Sequence, residues 1–484
     1  MSIPFIPNQK NLSINLSDGF SITVPNDITE ISTFTYLEQE TWFENDKNIL
    51  NDILPDNFKA VDIGANYGFY SLFMANLDKG NSKIFSIEPC LNTMTCFKQS
   101  IKENNFNNIT PLQIGLSDTK SEAFLSIQES SELNEVVYET QLQGQFEKIQ
   151  LDSLDNLYKQ YDLKGCHFIK LDAEGHEEKV LKGAKIFFEN ESPIVMFEIR
   201  HGADYNFKLI DLFKSLNYQI FELDYLLNKL KKFNQEKIDP LLLNVFAVPK
   251  GLISQLKSDN LVIDFIDFQK LDSNYLNDFF LKKKSYQLLG FNTNIMEHTK
   301  VTLPKYWNAL NMFIASQNSE INHNFRHLYL KQSYEDLKSI ASESPSIAPT
   351  LSLIRVAIEY RDINLALELS QYFLKQIEDK QILNVESIFL SLDKQYENLT
   401  EINAKWLEEQ LVYIQETHSG YSSIFEGDAS FIRTSKLISF QNEKAIILRK
   451  NILCNFGRKN PKLQKLKENL KNNLNNHLWR KVLD

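Results

Sequence analysis

An apolar strand, Lys59–Ile63, runs directly into a glycine turn and then into helical spacing. The segment reads Val61-Asp62-Ile63-Gly64-Ala65-Asn66-Tyr67-Gly68, with apolar residues at helical intervals as far as Leu77. Glycine allows the tight turn and lets another group come close to the main chain. The first N–H groups of the helix are left unpaired and face a polar or anionic ligand. Asn66 stands where such loops often carry glycine, and Asn tolerates the left-handed backbone better than most residues. Glu88 then closes the next strand, Lys83–Ile87, where a carboxylate suits the two hydroxyls of a ribose.

The surrounding chain repeats this logic. Up to about Lys250, short β-branched runs alternate with amphipathic stretches, the pattern of β-α-β units and a doubly wound, mostly parallel sheet. Strands are predicted at Ile109–Ile114, His167–Leu171 and Ile194–Ile199, and helices over Leu91–Asn104, Glu177–Phe188 and Phe207–Leu216. Tyr218–Leu223 and Leu242–Val248 can close the sheet as a pair, and an insert over 119–160 carries strand-like pieces at Ala123–Ile127 and Phe146–Leu151. Residues 1–58 read as a polar leader with one amphipathic piece, Tyr36–Leu50. Its Tyr36, Trp42 and Phe43 would either form a lid or pack on the sheet. Beyond Gly251 helical periodicity dominates, near Ile321–Ser342, Pro349–Tyr360, Leu365–Ile377, Asn403–His418 and Lys462–Leu483. Three regions follow: a leader with a possible lid helix over 1–58, an α/β domain over 59–250, and an all-α domain over 251–484.

Composition limits the functional classes. The chain has 484 residues, 43% hydrophobic and 24% charged, which is ordinary globular usage. Lys plus Arg number 52 and Asp plus Glu 63, a formal net charge of −11. That is the wrong sign for coating nucleic acid phosphates. Cys90, Cys96, Cys166 and Cys454 show no C-x-x-C and no zinc spacing, so they read as reduced thiols of a cytoplasmic protein. No signal-peptide pattern is visible, and no run approaches the roughly 18 apolar residues of a membrane span. The exception to the acidic balance is 458–484, with eight Lys or Arg against two acids. Leu463, Leu466, Leu470, Leu474 and Leu478 give it a helical stripe. This basic amphipathic helix would dock on the acidic body of its own chain or a partner, or rest on an anionic membrane surface.

Two details narrow the ligand. The turn is spaced G-x-x-x-G, which counts against the G-x-G-x-x-G site of a dinucleotide pyrophosphate. Asp62 would repel a pyrophosphate and attract the ammonium of an amino-acid-bearing cofactor. Together these point to S-adenosylmethionine. With these residues in place, the sequence resembles the FkbM-type S-adenosylmethionine-dependent methyltransferases. Glu40-Thr41-Trp42-Phe43-Glu44 is similar to that family's leader, the segment 62–68 to its cofactor turn, and Ile87-Glu88-Pro89 to the acidic end of its second strand. Leu151-Asp152-Ser153-Leu154 looks like a strand-helix entry of the family. Ile169-Lys170-Leu171-Asp172-Ala173-Glu174-Gly175-His176-Glu177 resembles its most distinctive motif. These matches occur in order over about residues 36–250 and do not extend into the helical half. The resemblance implies a seven-stranded, Rossmann-like methyltransferase sheet and methyl transfer to an oxygen, often of a sugar or polyketide hydroxyl. It would place Asp62, Gly64, Asn66 and Gly68 at the methionine end of the cofactor, Glu88 on the ribose, and Ser117 and Asp118 near the adenine.

Open α/β sheets bind ligands beyond the C-terminal ends of their strands. Asp172 and Glu174 lie at one such end, Glu198 and His201 at the next. A hydroxyl acceptor must lose its proton as it attacks, to a carboxylate or His within hydrogen-bond reach. These four are therefore the candidate catalytic residues. Glu174 and Glu177 would equally favour a helix N-terminus through its dipole, and His176 reads as a cap or a solvated residue. Asp172 is harder to assign to structure alone, because an acid closing a buried strand needs a partner. A hard cation such as magnesium can bridge Asp172, Glu174 and Glu198, but the chemistry also runs without one, and no metal is assigned. The expectation is an O-methyltransferase acting on a hydroxyl of a sugar, glycan or related secondary metabolite. The helical domain would select the acceptor or mediate assembly. A nicotinamide-dependent oxidoreductase is the first alternative, disfavoured by the glycine spacing. A non-catalytic interaction protein with a decayed methyltransferase domain is the second, disfavoured by the intact Asp62, Gly64, Gly68, Glu88 and Asp172.

Overall fold

Strands β1 (Lys59–Ile63), β2 (Lys83–Ile87), β3 (Ile109–Leu112), β4 (Phe168–Leu171) and β5 (Ile194–Glu198) pair in parallel, in the order β3-β2-β1-β4-β5. The structure is a computed structural model that describes residues 2–77, 82–128, 130–137, 144–201, 204–264, 266–267, 269, 271, 273–343, 346–379, 387–442, 444–456, 470 and 473–483. Chain order reverses between β1 and β4, and a crevice opens at such a switch point. Beyond β5 the sheet continues through β6 (Tyr218–Asp224), β7 (Lys229–Lys232) and β8 (Asn244–Pro249), in the order β5-β8-β6-β7 with antiparallel pairs.

The sheet is thus mixed and has eight strands, one more than the seven expected. The added edge strand, β7, has the sequence Lys-Leu-Lys-Lys, and Leu230 is its one buried side chain. It carries too little apolar alternation to be read as a strand. A short lysine-rich edge also discourages pairing with further chains. The central strands are apolar on both faces because both faces are covered. The helix expected over Glu177–Phe188 is two helices, Glu177–Lys182 and Lys185–Asn190. They part at Gly183, where a Cβ would overlap the carbonyl oxygen of Ser117. The insert forms a separate four-stranded sheet from Gly115–Leu116, Ser121–Ile127, Glu135–Val137 and Gln145–Asp152.

The first 58 residues are more ordered than a polar leader. Asn11–Asn15 and Ser21–Pro25 form an antiparallel hairpin whose Leu12, Ile14, Ile22 and Val24 are completely buried. The amphipathic piece is helix Ile31–Gln39 followed by a tight turn of helix, Asn45–Ile49.

Beyond β8, helix Lys250–Ser258 follows directly, and the regular elements among the described residues are helices. Trp307, Phe313, Leu351, Ile354, Phe373 and Leu411 centre a core of their own. Leu448, Ile452, Leu470, Leu478 and Trp479 instead join the core of the N-terminal hairpin and helix. Of the expected basic segment, residues 458–469, 471–472 and 484 lie outside the described residues, while Asn476–Leu483 is helical. Trp479 packs edge-on against Phe5 at 5.1 Å, and Asn475 accepts from the Asn15 N–H and donates to the Asn15 carbonyl. This end of the chain therefore packs on its own first half. No helix among the described residues is long and apolar enough to cross a membrane. All four cysteines are free.

Candidate functional site

Gly64, Asn66 and Gly68 have φ of +76°, +49° and +88°, so all three adopt the left-handed backbone. Packing imposes the two glycines as well. A Cβ on Gly64 would overlap the carbonyl oxygen of Asp172, and one on Gly68 would overlap the ring of Phe97. At Gly64, then, the bare backbone lets the end of β4 close on the turn. The Gly64 and Ala65 N–H groups donate to the Ile87 carbonyl at 3.0 and 2.9 Å. Glu88 fastens the turn from the other side: Oε2 accepts from the Asn66 N–H at 3.0 Å and Oε1 from the Cys90 N–H at 2.8 Å. Each oxygen keeps a further lone pair, and Glu88 lines the cleft that opens beside the turn. Burial pushes its carboxyl up to about 7.

Asp62 does not line that cleft. It is completely buried, its Oδ2 accepts from Ser71 Oγ at 2.6 Å, and its Oδ1 has no partner. It lies opposite Lys170 in the β1–β4 register. Burial raises its pKa, and the Lys170 charge opposes that rise. The expected direct contact between Asp62 and a cofactor ammonium is not what the geometry offers; Asp62 supports Lys170.

Lys170 brings its Nζ to 2.6 Å from Asp172 Oδ2 and lies over the Tyr70 ring, 4.9 Å from the centroid. Burial works against its charge, but Asp172, Asp62 and Glu44 outweigh it and hold the ammonium above its ordinary pKa. Asp172, Glu174 and Glu198 each bring an oxygen within 4.8 Å of the others. Oxygens so placed can hold a hard cation. Burial first, then the Asp172 charge, pushes Glu174 and Glu198 well above the usual carboxylate range. Both hold a proton more tightly than an ordinary carboxylate does, beside an ion-paired Asp172. Glu174 is left-handed at φ +47°, and Gly175 follows at +84°. Glu177 Oε1 accepts the N–H groups of Ala173 and Gly175, both at 3.0 Å. Glu177 thus fastens the loop that presents Glu174. His176 is buried, with Nε2 3.1 Å from Ser117 Oγ, and burial pushes it down to about 4. It is neutral, lines the cleft and makes no capping bond.

The structure brings Gly64, Asn66, Glu88, Asp172 and Glu174 together around one cleft. Glu198 borders an adjoining hollow. Gly68, Ser117 and Asp118 lie off the cleft: Ser117 turns to His176, Asp118 is exposed, and the wall there is Gly115, Leu116 and His176. His201 pairs with Asp204 in a two-residue strand, and its side chain lies outside the described residues.

Among the lining residues that sequence reasoning missed are Glu44, Ser131 and Glu132. Glu44 accepts from the Tyr70 hydroxyl at 2.6 Å, from Asn244 Nδ2 at 2.8 Å and from Trp42 Nε1 at 2.9 Å. Its place among the leader aromatics was the available signal. Ser131 and Glu132 come from the tip of the insert. Ser131 Oγ donates to Asn66 Oδ1 at 3.0 Å, and Glu132 accepts from the hydroxyls of Ser32 and Ser130. No sequence pattern marks such a polar tip as part of a site. Tyr36 and Trp42 line the same cleft while packing with Phe69, whereas Phe43 faces a second cleft.

Strand order, the glycine turn and the acids at the strand ends give a methyltransferase-like α/β fold with a large mixed sheet and a helical C-terminal region. More particularly, the family model of the methyltransferase FkbM domain matches residues 62–225 of this chain. Among solved structures the chain is similar to methyltransferase FkbM from Methylobacillus flagellatus KT, at 18% identity over 41% of this chain and 47% of that one, with a TM-score of 0.28. It is also similar to TYW2 of M. jannaschii in complex with AdoMet, at 14% identity over 50% of this chain and 85% of that one, TM-score 0.27. A SAM dependent methyltransferase from Aquifex aeolicus matches at 10% identity over 44% of this chain and 92% of that one, TM-score 0.26. The chain spans about half the length of the first of these, 47%. No curated protein matches it.

Proposed function

We propose that the chain is an S-adenosylmethionine-dependent O-methyltransferase whose α/β domain, residues 59–250, methylates a hydroxyl of a sugar or a related small molecule. One observation carries this reading: Glu88 and the Asp172–Glu174 pair share a single cleft beside the left-handed turn. The residues present fit the cofactor. Glu88 keeps lone pairs for two ribose hydroxyls, Gly64 and Asn66 line the turn, and Leu116, Leu125 and Val136 supply an apolar wall for a flat base. When bound, S-adenosylmethionine supplies a methyl group on a positively charged sulfur. The chain's share is to hold the acceptor and receive its proton. Asp172 is the carboxylate suited to take that proton: its Oδ1 has no partner, and its neighbours Glu174 and Glu198 hold their own protons more tightly than usual. Lys170 keeps Asp172 in place and brings the positive charge that a bound cation would otherwise supply, which supports the metal-free reading.

S-adenosylhomocysteine should raise the thermal midpoint of the full chain. A ligand that binds only the folded state adds about 2.7 kcal/mol at a hundred times its Kd. NAD should give no shift. Absence of any shift with millimolar S-adenosylhomocysteine would remove the cofactor assignment.

A further inference from the structure

The helical half meets the N-terminal segment at a defined place. Ser422 Oγ and the Ser423 N–H donate to the buried Glu38 at 2.7 and 2.9 Å, and Gln39 Nε2 donates to the Tyr421 carbonyl at 2.6 Å. Arg449 pairs with Glu40 at 2.9 Å. These bonds hold residues 421–423 against helix Ile31–Gln39, and a second cleft opens beside the first. Phe43, Glu44 and Asp46 form one side of it; Arg361, His418 and Tyr421 form part of the other. Glu44 borders both clefts. Arg200 Nη1 donates to the Tyr421 hydroxyl at 3.2 Å, and Arg200 also borders the hollow that Glu198 lines. The second cleft therefore adjoins the first at Glu44, and the Arg200–Tyr421 bond ties its rim to the hollow that Glu198 lines.

We propose that this second cleft is the acceptor subsite and that it takes a neutral saccharide. The inference rests on the methyltransferase reading above. Phe43 and Tyr421 stack with ring centroids 5.3 Å apart and planes at 30°, and both remain partly exposed. They make an aromatic ledge for the apolar face of a sugar ring. Glu44 and Asp46 offer carboxylate oxygens to sugar hydroxyls. Asp46 is held by Asn244 Nδ2 and the Tyr225 hydroxyl, at 3.3 and 3.2 Å. The cations on the cleft are already matched: Arg361 pairs with Asp239, and Lys450 lies 3.0 Å from Glu416. His418 is neutral, pushed down to about 4 by burial. A phosphate or carboxylate on the acceptor would thus meet the Glu44 carboxylate and no unmatched cation among the described lining residues. Like charges brought together at a binding site suppress the wrong ligand.

The test uses the full chain with S-adenosylhomocysteine and saturation-transfer NMR. The probes are neutral methyl glycosides of gluco, galacto, manno, rhamno and fuco configuration, set against glucose 6-phosphate and glucuronate. At least one neutral glycoside should receive saturation, and the charged sugars none. Tyr421→Ala should weaken that binding by about tenfold, the scale of one lost aromatic contact. Tyr421→Phe should retain it, and both variants should keep the thermal shift with S-adenosylhomocysteine, which shows that they fold. The subsite is overturned if charged sugars bind as well as neutral ones, if no neutral glycoside binds to protein that does bind S-adenosylhomocysteine, or if binding is unchanged in Tyr421→Ala. Failure of the wild type to bind S-adenosylhomocysteine would instead sink the methyltransferase reading.

Discussion

Replacing Lys170 with Met removes the internal cation of the acid cluster. Lys170 is 6% exposed and sits between Asp172 and Asp62, each of which has one oxygen without a partner. Breaking a buried ion pair by removing one member costs about 3–5 kcal/mol, because the other charge is left uncompensated. A proton sets the ceiling here. Neutralising one carboxylate of ordinary pKa, about 3.9, costs roughly 4 kcal/mol at pH 7 and roughly 1.5 kcal/mol at pH 5, at 1.36 kcal/mol per unit. The side chain of Asp172 is 25% exposed, so water relieves part of that cost. Lys170→Met should therefore lose about 3 kcal/mol at pH 7 and about half of that at pH 5. Lys170→Met/Asp172→Asn should recover some of the loss, with a coupling of about 1–3 kcal/mol. Urea unfolding followed by fluorescence at both pH values reads these quantities. A loss below about 1 kcal/mol at pH 7, or one that does not change between pH 7 and pH 5, would show that the carboxylates do not depend on Lys170.

Gly64→Ala would combine a left-handed backbone with a Cβ overlapping the Asp172 carbonyl, and should cost about 2–4 kcal/mol in urea unfolding. Near-native stability together with lost S-adenosylhomocysteine binding would mean that the glycine serves the ligand instead of the strand contact. Glu30, Asp46 and Glu88 are each pushed up to about 7, with burial the leading cause. The folded state therefore holds these protons more tightly than the unfolded chain does. Their contribution to stability is complete below the ordinary carboxylate pKa, about 4, and is lost as pH rises through about 7. The thermal midpoint should fall between pH 5.5 and 8, and Asp46→Asn with Glu88→Gln should flatten that slope; a wild-type midpoint that stays level or rises would refute the assignment.

The parallel core was legible because its pattern has a single structural solution. Runs such as Phe168–Leu171 and Ile194–Glu198 are apolar at nearly every position, as strands covered on both faces must be, and glycine or Asn marks the left-handed turn between β1 and its helix. The N-terminal hairpin was not legible. Leu12 and Ile14 alternate with Ser and Asn, so the segment reads as polar unless the period of two is followed residue by residue. Strand β7 escaped for the opposite reason: at the edge of a sheet, main-chain bonding holds a strand that has one apolar side chain to bury. The break at Gly183 has no local cause either, since it is set by the Ser117 carbonyl arriving from a distant loop.

At the site, sequence located acids at strand ends but could not say which way they face. Period-two alternation puts Lys170 and Leu171 on opposite faces, and the structure gives Lys170 to the cleft and Leu171 to the core. The same alternation cannot tell that Asp62 will be sealed behind Lys170 while Glu88, at the end of the next strand, borders the opening. That difference arises from what packs above each residue: Ser71 lies over Asp62, whereas Glu88 is held only by main-chain N–H groups at its margin. Glu44 is less legible still, because its donors Trp42, Tyr70 and Asn244 belong to three separate segments. Tyr421 joins the site through bonds to Gln39 and Arg200, 382 and 221 residues away in sequence. Periodicity reports which face of its own element a residue occupies. A carboxylate fixed by donors 26 and 200 residues away, or a tyrosine seated by a neighbouring helix, follows from how the elements close on one another, and local spacing carries no trace of that closure.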